Sequence, residues 1–345
     1  MKIVFRVDSS NLIGAGHTIR CLVIAEEMKD RGIETYFICK SNLLPLKKQI
    51  TSSGHEIFEI SSPKLSNLDW KKDAEETLKV IKSISPEMLI VDHYSLEKRW
   101  QKSVKEKLGK LIVIDDLPGR KLFCDILIDQ NLGRKSEHYL PYIEGNPKLL
   151  MGTEFALVRE EFSINRKMTL QKRKRFDGIN NILISLGGVG TIDSYSRILE
   201  TLSNVKWKNL PEIDITLGFT KQEKLVLENF CKKNKLLKVN FHSNSMDIYK
   251  KMIKADLCIG YAGSSSWERC VLGLPSFVKA VSDNQLFIAK NLEARGAVKI
   301  WEKEKEIKKL FETLVSKKQW FKLMESSKKI CDGKGSRRVV DAILE

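Results

Sequence analysis

The sequence predicts an α/β fold made of two Rossmann-like domains that face a cleft. Three observations lead to this prediction: short aliphatic strands alternate with longer amphipathic segments, the alternation occurs twice, and each half contains one turn rich in glycine. Strands of continuous aliphatic residues are typical of parallel sheets covered by helices on both faces. Ligands of such sheets bind at the carboxyl ends of the strands, so polar residues at those ends are the candidates for function.

The composition is that of a globular protein large enough for two domains. The 345 residues are 42% hydrophobic and 30% charged, and a chain beyond roughly 250 to 300 residues usually divides into domains. No apolar run approaches the roughly 20 residues of a membrane span, and no secretory pattern precedes the first strand. We therefore expect a cytoplasmic monomer without stable membrane association.

Charge and cysteine usage restrict the classes of partner. A net charge of +16 raises the hypothesis of a nucleic-acid-binding or regulatory protein. The basic residues are mixed with Glu and no nucleic-acid-binding motif is visible, which favours a solvated basic surface that attracts a phosphorylated substrate. The seven cysteines are scattered and form no CxxC pair, which favours reduced core thiols over a metal site. We expect neither a metal nor a cofactor.

In the N-terminal domain, predicted to span residues 1–160, polar residues follow the strands. Strands are predicted at residues 2–7, 34–40, 56–60, 88–91, 111–114 and 126–128, and helices from residue 17 and at 67–84 and 96–108. The polar residues after them are Asp8, Asp92, His93, Tyr94, Asp115, Asp116, Asp129, Gln130 and Asn131. They share one edge of a parallel sheet, where the Asp92–Tyr94 segment is a candidate to position a sugar or a water.

The alternation breaks at residues 161–178 and then restarts. Residues 165–176 hold many basic and few apolar side chains, which predicts a solvated interdomain connection. The C-terminal domain is predicted to span residues 179–345 and to end in closing amphipathic helices. Its strands are predicted at residues 181–185, 214–217, 239–241, 256–259 and 274–278, and its helices from residue 193 and at 221–234 and 245–253.

A glycine-rich turn with one histidine follows the first strand. Gly14 and Gly16 let the backbone turn sharply because neither carries a Cβ, and apolar periodicity predicts a helix from His17. A helix N-terminus favours an anionic ligand and disfavours protonation of a nearby imidazole. A neutral imidazole takes a proton from water near pH 7. His17 is therefore a candidate general base, and the alternative is a histidine that only caps or packs the turn.

A second turn, GYAGSSSWE, precedes a helix in the C-terminal half. Gly263, Ser264, Ser265 and Ser266 offer amides and hydroxyls to a diphosphate. Glu268, in the first turn of the helix, is a candidate acceptor for ribose hydroxyls, and the alternative is a capping box, for which Ser-x-x-Glu is also the signature. Neither turn is a GxGxxG motif or a P-loop, which argues against a dinucleotide or ATP.

Several segments, in one order along the chain, together resemble a known family. They are VDSSNLIGAGHTIRC, VDHY, the Gly187-Gly188 turn, YAGSSSWERCVLGLP and the downstream Asn284-Gln285. The family is that of the UDP-2,4-diacetamido-2,4,6-trideoxy-β-L-altropyranose hydrolases of pseudaminic acid biosynthesis. Its members are relatives of the glycosyltransferase that makes lipid II, and they have the GT-B fold.

The resemblance implies a division of roles between the domains. The C-terminal domain would hold UDP, with the uracil in the cleft wall, the diphosphate at 263–266 and the ribose on Glu268. The N-terminal domain would hold the sugar, and His17 would activate a water that attacks the anomeric carbon and displaces UDP with inversion. Tyr94 and Asn284 match positions that contact the sugar or the water. Further substrate-binding positions are implied at Asp8, Gly14, Gly16, Arg20, Asp92, Gly187, Gly188 and Gln285.

A UDP-sugar is the partner that this interpretation requires. UDP leaves readily once amide donors and a helix N-terminus hold its charge, so the geometry requires no divalent metal. Two alternatives keep the fold: a glycosyltransferase that binds an acceptor hydroxyl in place of water, and a hydrolase of a related UDP-sugar from another nonulosonate or surface-polysaccharide pathway.

Overall fold

The computed structural model describes residues 1–8, 16–40, 44–61, 69–216, 218, 220–233, 238–242, 247–314 and 316–345. Gly14, one of the predicted substrate-binding residues, lies outside these ranges. The strands β1 to β15 are Lys2–Val7, Glu34–Lys40, Glu56–Ile60, Met88–Asp92, Lys110–Ile114, Leu122–Phe123, Ile126–Asp129, Ile143–Glu144, Lys148–Met151, Asn181–Ser185, Glu212–Thr216, Lys238–His242, Leu257–Tyr261, Ser276–Lys279 and Lys299–Ile300. The helices α1 to α13 are Gly16–Lys29, Leu44–Ser52, Trp70–Ile84, Lys98–Lys105, Glu160–Arg173, Ile192–Ser203, Lys221–Lys233, Ile248–Lys254, Ser265–Val271, Asp283–Ala294, Lys305–Leu314, Lys317–Lys328 and Gly335–Leu344.

The described residues form two compact units, each built on a parallel sheet. Unit 1 comprises Met1–Val158 and Lys334–Glu345, and unit 2 comprises Arg159–Gly333. The strand order is β3-β2-β1-β4-β5-β7-β9 in unit 1 and β12-β11-β10-β13-β14-β15 in unit 2. Neighbouring strands within these two sheets pair in parallel. Two parallel sheets with connecting helices agree with the predicted fold class.

Strand β1 shows why the sheet of unit 1 is covered on both faces. Ile3, Phe5 and Val7 pack with residues of α1 and α13, whereas Val4 packs with residues of α3 and α4. This division follows from the two-residue period of a strand, which sends successive side chains to opposite faces. Arg6, on the same face as Val4, is fully buried between two carboxylates, as described below.

The central strands of unit 2 are equally buried. Ile184 of β10 and Ile259 of β13 belong to one core cluster together with residues of α6, α11 and α12. Gly260 lies where these two strands run side by side, and a Cβ built there would lie 2.5 Å from the carbonyl oxygen of Ser185. Only glycine therefore allows the two backbones to approach so closely at the carboxyl edge of the sheet.

Two predicted segments differ from the structure. The sequence predicts a solvated connection at residues 161–178, but α5 covers most of it within unit 2, and Arg173 is 4% exposed with hydrogen bonds to three backbone carbonyls. The sequence also assigns the last helix to the C-terminal domain, but α13 packs on α1 in unit 1. Basic composition does not reveal that a guanidinium is satisfied by carbonyls, and apolar positions in a closing helix do not show which core they enter.

Two further observations concern the cysteines and the bilayer. None of the seven cysteines forms a disulfide, and six are buried, as expected for core thiols. Within the described ranges, no helix combines the length and the apolar character needed to cross a bilayer.

Candidate functional site

The carboxyl edge of the unit 1 sheet brings predicted site residues together. Strands β1, β4 and β5 are adjacent in the sheet, and α1 begins at Gly16, shortly after β1 ends. His17 and Arg20 lie three residues apart on α1, which places both side chains on one face of the helix. Asp92 is the last residue of β4, and its carboxylate contacts both of them.

Asp92 fixes the orientation and the tautomer of His17. Nδ1 of His17 lies 2.5 Å from Oδ1 of Asp92. Burial alone raises the pKa of Asp92, but the charges of Arg20 and His17 and the hydrogen bonds from both together hold the pKa below its ordinary value. Because the carboxylate is ionised, Nδ1 carries the hydrogen and donates it, and Nε2 keeps its lone pair. Among the described residues, Nε2 has no hydrogen-bond partner.

Arg20 holds the same carboxylate through two nitrogens. Its Nε donates to Oδ2 of Asp92 at 2.5 Å, and its Nη2 donates to Oδ1 at 2.6 Å. This planar fork fixes the plane of the carboxylate as well as its position. Nη2 also lies 3.1 Å from Nδ1 of His17, but both nitrogens carry hydrogens, so the contact results from their shared acceptor. Arg20 and Asp92 thus support His17 from the buried side.

The Tyr94 ring packs against the imidazole of His17. The two rings meet edge to face, with centroids 4.7 Å apart and planes at 84°. The Tyr94 hydroxyl donates to Oδ1 of Asp116 at 2.5 Å, and Oδ2 of Asp116 lies 3.2 Å from Nη1 of Arg20. Burial, together with the Asp116 carboxylate, raises the pKa of Tyr94 well above its ordinary value, so the phenol stays protonated. Sequence reasoning places Asp116 at this edge but does not select it as a site residue.

Asp8 belongs to a neighbouring group of buried charges. Nη1 of Arg6 donates to Oδ1 of Asp8 at 2.7 Å, and Arg6 also pairs with Asp73 at 2.7 Å. Oδ2 of Asp8 lies 3.3 Å from Nε2 of His93, and burial lowers the pKa of that histidine. The backbone amide of Lys40 donates to Asp8 as well. Asp8 therefore ties β1, β2 and β4 together, and its oxygens already have protein donors.

The corresponding edge of unit 2 gathers the other predicted residues. Strands β10, β13 and β14 are adjacent, and their carboxyl ends lead to Gly187-Gly188, to the turn at 263–266 and to Asn284-Gln285. Gly187 has a φ of +64°, which glycine adopts without strain. A Cβ built on Gly263 would lie 3.9 Å from Nε2 of Gln285, so these two segments are close. Asn284 accepts from the Ser282 hydroxyl at 2.5 Å and from the Gln285 amide at 2.9 Å.

The turn at 263–266 carries backbone donors that the fold leaves unused. The amides of Ser266 and Trp267 donate to the carbonyls of Gly263 and Ser264. By contrast, the amides of Gly263, Ser264 and Ser265 donate to none of the described residues. Ser264 is exposed, and its side chain makes no capping bond to α9.

Glu268 does not form the capping box that was the alternative interpretation of this turn. Its Oε1 accepts from Nε and Nη2 of Arg159 at 3.0 and 2.9 Å, and no described bond joins its carboxylate to the backbone of Ser265. Within the described residues, Oε2 has no donor. Arg159, which sequence reasoning missed, therefore orients the Glu268 carboxylate through Oε1.

Arg269 is a second residue that sequence reasoning missed. It is 2% exposed, and its guanidinium donates to the hydroxyl oxygens of Ser265 and Ser266 at 3.2 and 2.8 Å and to the carbonyl of Tyr261 at 3.0 Å. No carboxylate of a described residue pairs with it, and its Nε has no partner there. A buried, uncompensated cation directly under the turn favours an anion on the other side.

The two edges support different chemistry. The unit 1 edge presents an imidazole held in one tautomer by an ionised carboxylate, an arrangement that accepts a proton from a nucleophile. The unit 2 edge presents free amides, hydroxyls and a buried guanidinium, which suit phosphate groups. No three His, Cys, Asp or Glu side chains within the described ranges are grouped to hold a metal ion.

Sequence comparisons identify two relatives. Over 207 residues, the chain is 30% identical to the UDP-2,4-diacetamido-2,4,6-trideoxy-beta-L-altropyranose hydrolase of Campylobacter jejuni. The matched region covers 60% of this chain and 67% of that protein. It is 29% identical over 282 residues to the uncharacterized protein MJ1062 of Methanocaldococcus jannaschii, which covers 81% of this chain. The chain spans 55% of the length of that second relative. No protein-family model matches the chain.

Comparison with solved structures shows the fold. MurG of Acinetobacter baumannii superposes with a TM-score of 0.72 at 16% identity and covers 100% of this chain and 99% of that chain. The UDP-GlcNAc 2-epimerase of Neisseria meningitidis, bound to UDP-GlcNAc, superposes with a TM-score of 0.66 at 14% identity and covers 100% of both chains. These likenesses confirm the predicted fold class, two Rossmann-like domains of the GT-B type.

Proposed function

The chain belongs to the family of UDP-2,4-diacetamido-2,4,6-trideoxy-β-L-altropyranose hydrolases, and from this premise we propose that it hydrolyses that UDP-sugar to UDP and the free sugar, a step of pseudaminic acid biosynthesis. The observation that carries the proposal is the His17–Asp92 pair, with Nδ1 bound at 2.5 Å and Nε2 left to act as a base. Arg20 and Tyr94 support it by fixing the carboxylate and one face of the imidazole.

The chemical step balances with His17 as the only base. Nε2 of His17 takes a proton from water as the water oxygen forms a bond to the anomeric carbon. The bond between that carbon and the β-phosphate oxygen breaks, and its electron pair leaves with UDP. Attack from the face opposite the leaving group inverts the anomeric configuration. The ionised Asp92 stabilises the imidazolium, and such a base contributes about two to four orders of magnitude in rate.

We assign UDP to unit 2. The unused amides at Gly263, Ser264 and Ser265 and the cation of Arg269 are suited to the charge that develops on the departing diphosphate. Because Oε2 of Glu268 has no described donor, it is suited to accept from the ribose hydroxyls. The contact of Glu268 with Arg159, which holds Oε1, supports this assignment.

The remaining predicted residues divide into two groups. Asp8, Arg20 and Asp92 are buried and their polar atoms already bind protein groups, so we assign them to support of the edge rather than to the substrate. For the sugar and the nucleotide we retain the exposed or half-exposed positions, which are Gly16, Tyr94, Gly187, Gly188, Asn284 and Gln285.

Product analysis of the purified full chain tests this function. The UDP-sugar is incubated with wild type, His17→Ala and His138→Ala in EDTA, and the products are followed by proton and phosphorus NMR. Wild type and the control variant are expected to release UDP and the sugar with inverted configuration, and His17→Ala is expected to be slower by about two to four orders of magnitude. A His17→Ala variant with the wild-type rate contradicts the proposal.

A glycosyltransferase is the second candidate, because the free Nε2 would serve an acceptor hydroxyl as well as a water. That function predicts UDP release that depends on an added sugar or lipid acceptor. Full turnover in buffer without any acceptor excludes it. Absence of turnover with this substrate, followed by turnover of another UDP-deoxyaminosugar, assigns the chain to that sugar instead.

A further inference from the structure

Asp116 connects Tyr94 and Arg20, the two side chains that contact the His17–Asp92 pair. It follows β5 and is 8% exposed. Its Oδ1 accepts from the Tyr94 hydroxyl at 2.5 Å, and its Oδ2 lies 3.2 Å from Nη1 of Arg20. No described hydrogen bond joins Asp116 to His17 itself. An effect of Asp116 on the imidazole therefore passes through Tyr94, through Arg20 or through its charge.

The charges nearest to His17 leave one negative charge in excess. Asp92 and Asp116 are both ionised: burial raises their pKa values, but Arg20, His17 and the hydrogen bonds that each carboxylate accepts together lower both pKa values to below the ordinary value. One guanidinium, that of Arg20, lies between these two carboxylates. A proton on His17 therefore neutralises the group instead of adding a like charge.

The other charged groups nearby are two pairs and the group in which Arg6 contacts Asp8 and Asp73, with Nζ of Lys40 4.0 Å from Asp8. Arg120 pairs with Asp115, and Arg134 pairs with Asp129 at 2.6 Å. Nη2 of Arg134 also donates to the carbonyl oxygen of Asp116 at 3.1 Å. Burial raises the pKa of Asp129 to about 7, so this second pair gains positive charge as the pH falls toward 6.

Other titratable groups do not supply the excess negative charge. The thiol of Cys21 lies 3.9 Å from Oδ2 of Asp92, but burial raises its pKa and keeps it neutral. The hydroxyl of Tyr94 also stays protonated. Residues 9–15, which precede α1, have the sequence SSNLIGA and contain no titratable side chain. Among the groups that contact Arg20, the second carboxylate, that of Asp116, is thus the source of the excess.

We infer that Asp116 is a positioning residue for His17, which holds Tyr94 against the imidazole and Arg20 on Asp92 and supplies the carboxylate that favours the protonated imidazole. This inference rests on the proposed function, because it names the group that tunes the base of that reaction. In buried surroundings the carboxylate acts with little screening by salt. Its removal is expected to weaken the proton affinity of His17 and to loosen its two neighbours.

The test measures protonation of His17 directly and requires no substrate. Wild type, Asp116→Asn and Tyr94→Phe are labelled with ¹⁵N-histidine, and the imidazole resonances are followed against pH by NMR. A His17→Gln variant assigns the signal, and His55 and His138 serve as internal references. Because the imidazole nitrogens report their own protonation, ionisation of Asp129 does not obscure the result.

The two variants separate the effect of the Asp116 charge from the effect of its hydrogen bond to Tyr94. Asp116→Asn is expected to move the titration midpoint of His17 to lower pH by about one unit, a tenfold loss of proton affinity. Tyr94→Phe keeps the charge of Asp116 and is expected to leave the midpoint in place while kcat falls. An Asp116→Asn midpoint that is unchanged or moves to higher pH overturns the inference.

A second variant decides the matter if Asp116→Asn does not fold. Asp116→Glu keeps the charge but displaces the carboxylate, so the midpoint is expected to stay at the wild-type value while kcat falls about tenfold, the effect of a weakened charged hydrogen bond. A shifted midpoint or an unchanged kcat in this variant overturns the inference. If wild type releases no UDP, the proposed function fails, whereas the NMR titration still decides the role of Asp116.

Discussion

Nδ1 of His17 and Oδ1 of Asp92 lie 2.5 Å apart, and this contact decides which imidazole nitrogen is available as a base. Asp92 reaches this position because β4 lies beside β1 and ends where α1 begins. Arg20 then keeps the carboxylate ionised and oriented. The tautomer of His17 is therefore fixed by the position of Asp92, which the pairing of β1 with β4 determines.

Replacement of Asp92 by Asn tests this relationship. The amide presents an NH₂ group either to Arg20 or to Nδ1, so the imidazole loses its ionised acceptor. We expect kcat to fall by about two to four orders of magnitude, with a smaller change in KM, as for the loss of an oriented base. Steady-state kinetics of UDP release measures this. Asp193→Asn, at an exposed position in unit 2, is the control, and a kcat of Asp92→Asn within twofold of the control contradicts the role.

Glu268 is expected to distinguish ribose from deoxyribose. Oε1 is held by Arg159 and Oε2 is left for a hydroxyl, so wild type should bind UDP about tenfold more tightly than 2′-deoxy-UDP, the effect of one charged hydrogen bond. Glu268→Gln should reduce this preference. Calorimetric titration with both nucleotides measures it, with Glu325→Gln on α12 as the control. Equal preference in wild type and Glu268→Gln refutes the assignment of ribose to this residue.

Ser266 is expected to carry the influence of Arg269 to a phosphate. Because its oxygen accepts from the buried guanidinium at 2.8 Å, its own hydrogen is directed to another acceptor. Ser266→Ala should weaken UDP binding about tenfold and leave uridine binding unchanged. Fluorescence or calorimetric titration with UDP, UMP and uridine provides the comparison. A loss that is the same for all three ligands would mean that Ser266 acts on the fold and not on the diphosphate.

Asp8 predicts an acid-dependent contribution to stability. Burial raises its pKa, but Arg6 and His93 together outweigh burial and lower the pKa far below the ordinary value of 3.8. A lowered pKa in the folded state stabilises the fold above about pH 4, and this stabilisation is lost as the pH falls further. Asp8→Asn should therefore reduce the free energy of unfolding by about 3–5 kcal/mol at pH 7, and the difference should shrink below about pH 4.

Urea unfolding of both proteins between pH 7 and pH 3.5 measures this dependence. Asp341→Asn, which removes an exposed partner of Arg31, is the control and should change stability by at most about 1 kcal/mol. A difference between wild type and Asp8→Asn that is the same at every pH is incompatible with an ionised Asp8 as the cause.

The sequence predicts the two parallel sheets because their strands are aliphatic runs that end in polar residues. It predicts His17 because two glycines precede a histidine at a strand-to-helix turn. It does not predict that Asp92 binds His17, because that contact requires the order of strands in the sheet, and sequential strands need not be neighbours. The aspartates at the carboxyl ends of β4, β5 and β7 look alike in sequence, and only the structure shows that Asp92 and Asp116 contact Arg20.

In unit 2, too, the sequence predicts a motif but not the residues that contact it. The Gly/Ser turn and Glu268 are visible as a motif, but Arg269, the next residue, resembles any helical arginine. Its burial under the turn depends on the approach of β10 and β13 at Gly260, where a Cβ would lie 3.2 Å from Nη1 of Arg269. Arg159 is 109 residues away from its partner Glu268 along the chain, and no local pattern joins them.

Hydrolysis in ¹⁸O-labelled water tests most directly whether His17 directs water to the anomeric carbon. We predict that the label appears in the C1 hydroxyl of the released sugar, that UDP remains unlabelled, and that both products are lost together in His17→Ala. Mass spectrometry of the sugar and of UDP gives the answer. Label on the β-phosphate of UDP would show that the phosphorus–oxygen bond breaks instead, and would contradict the account.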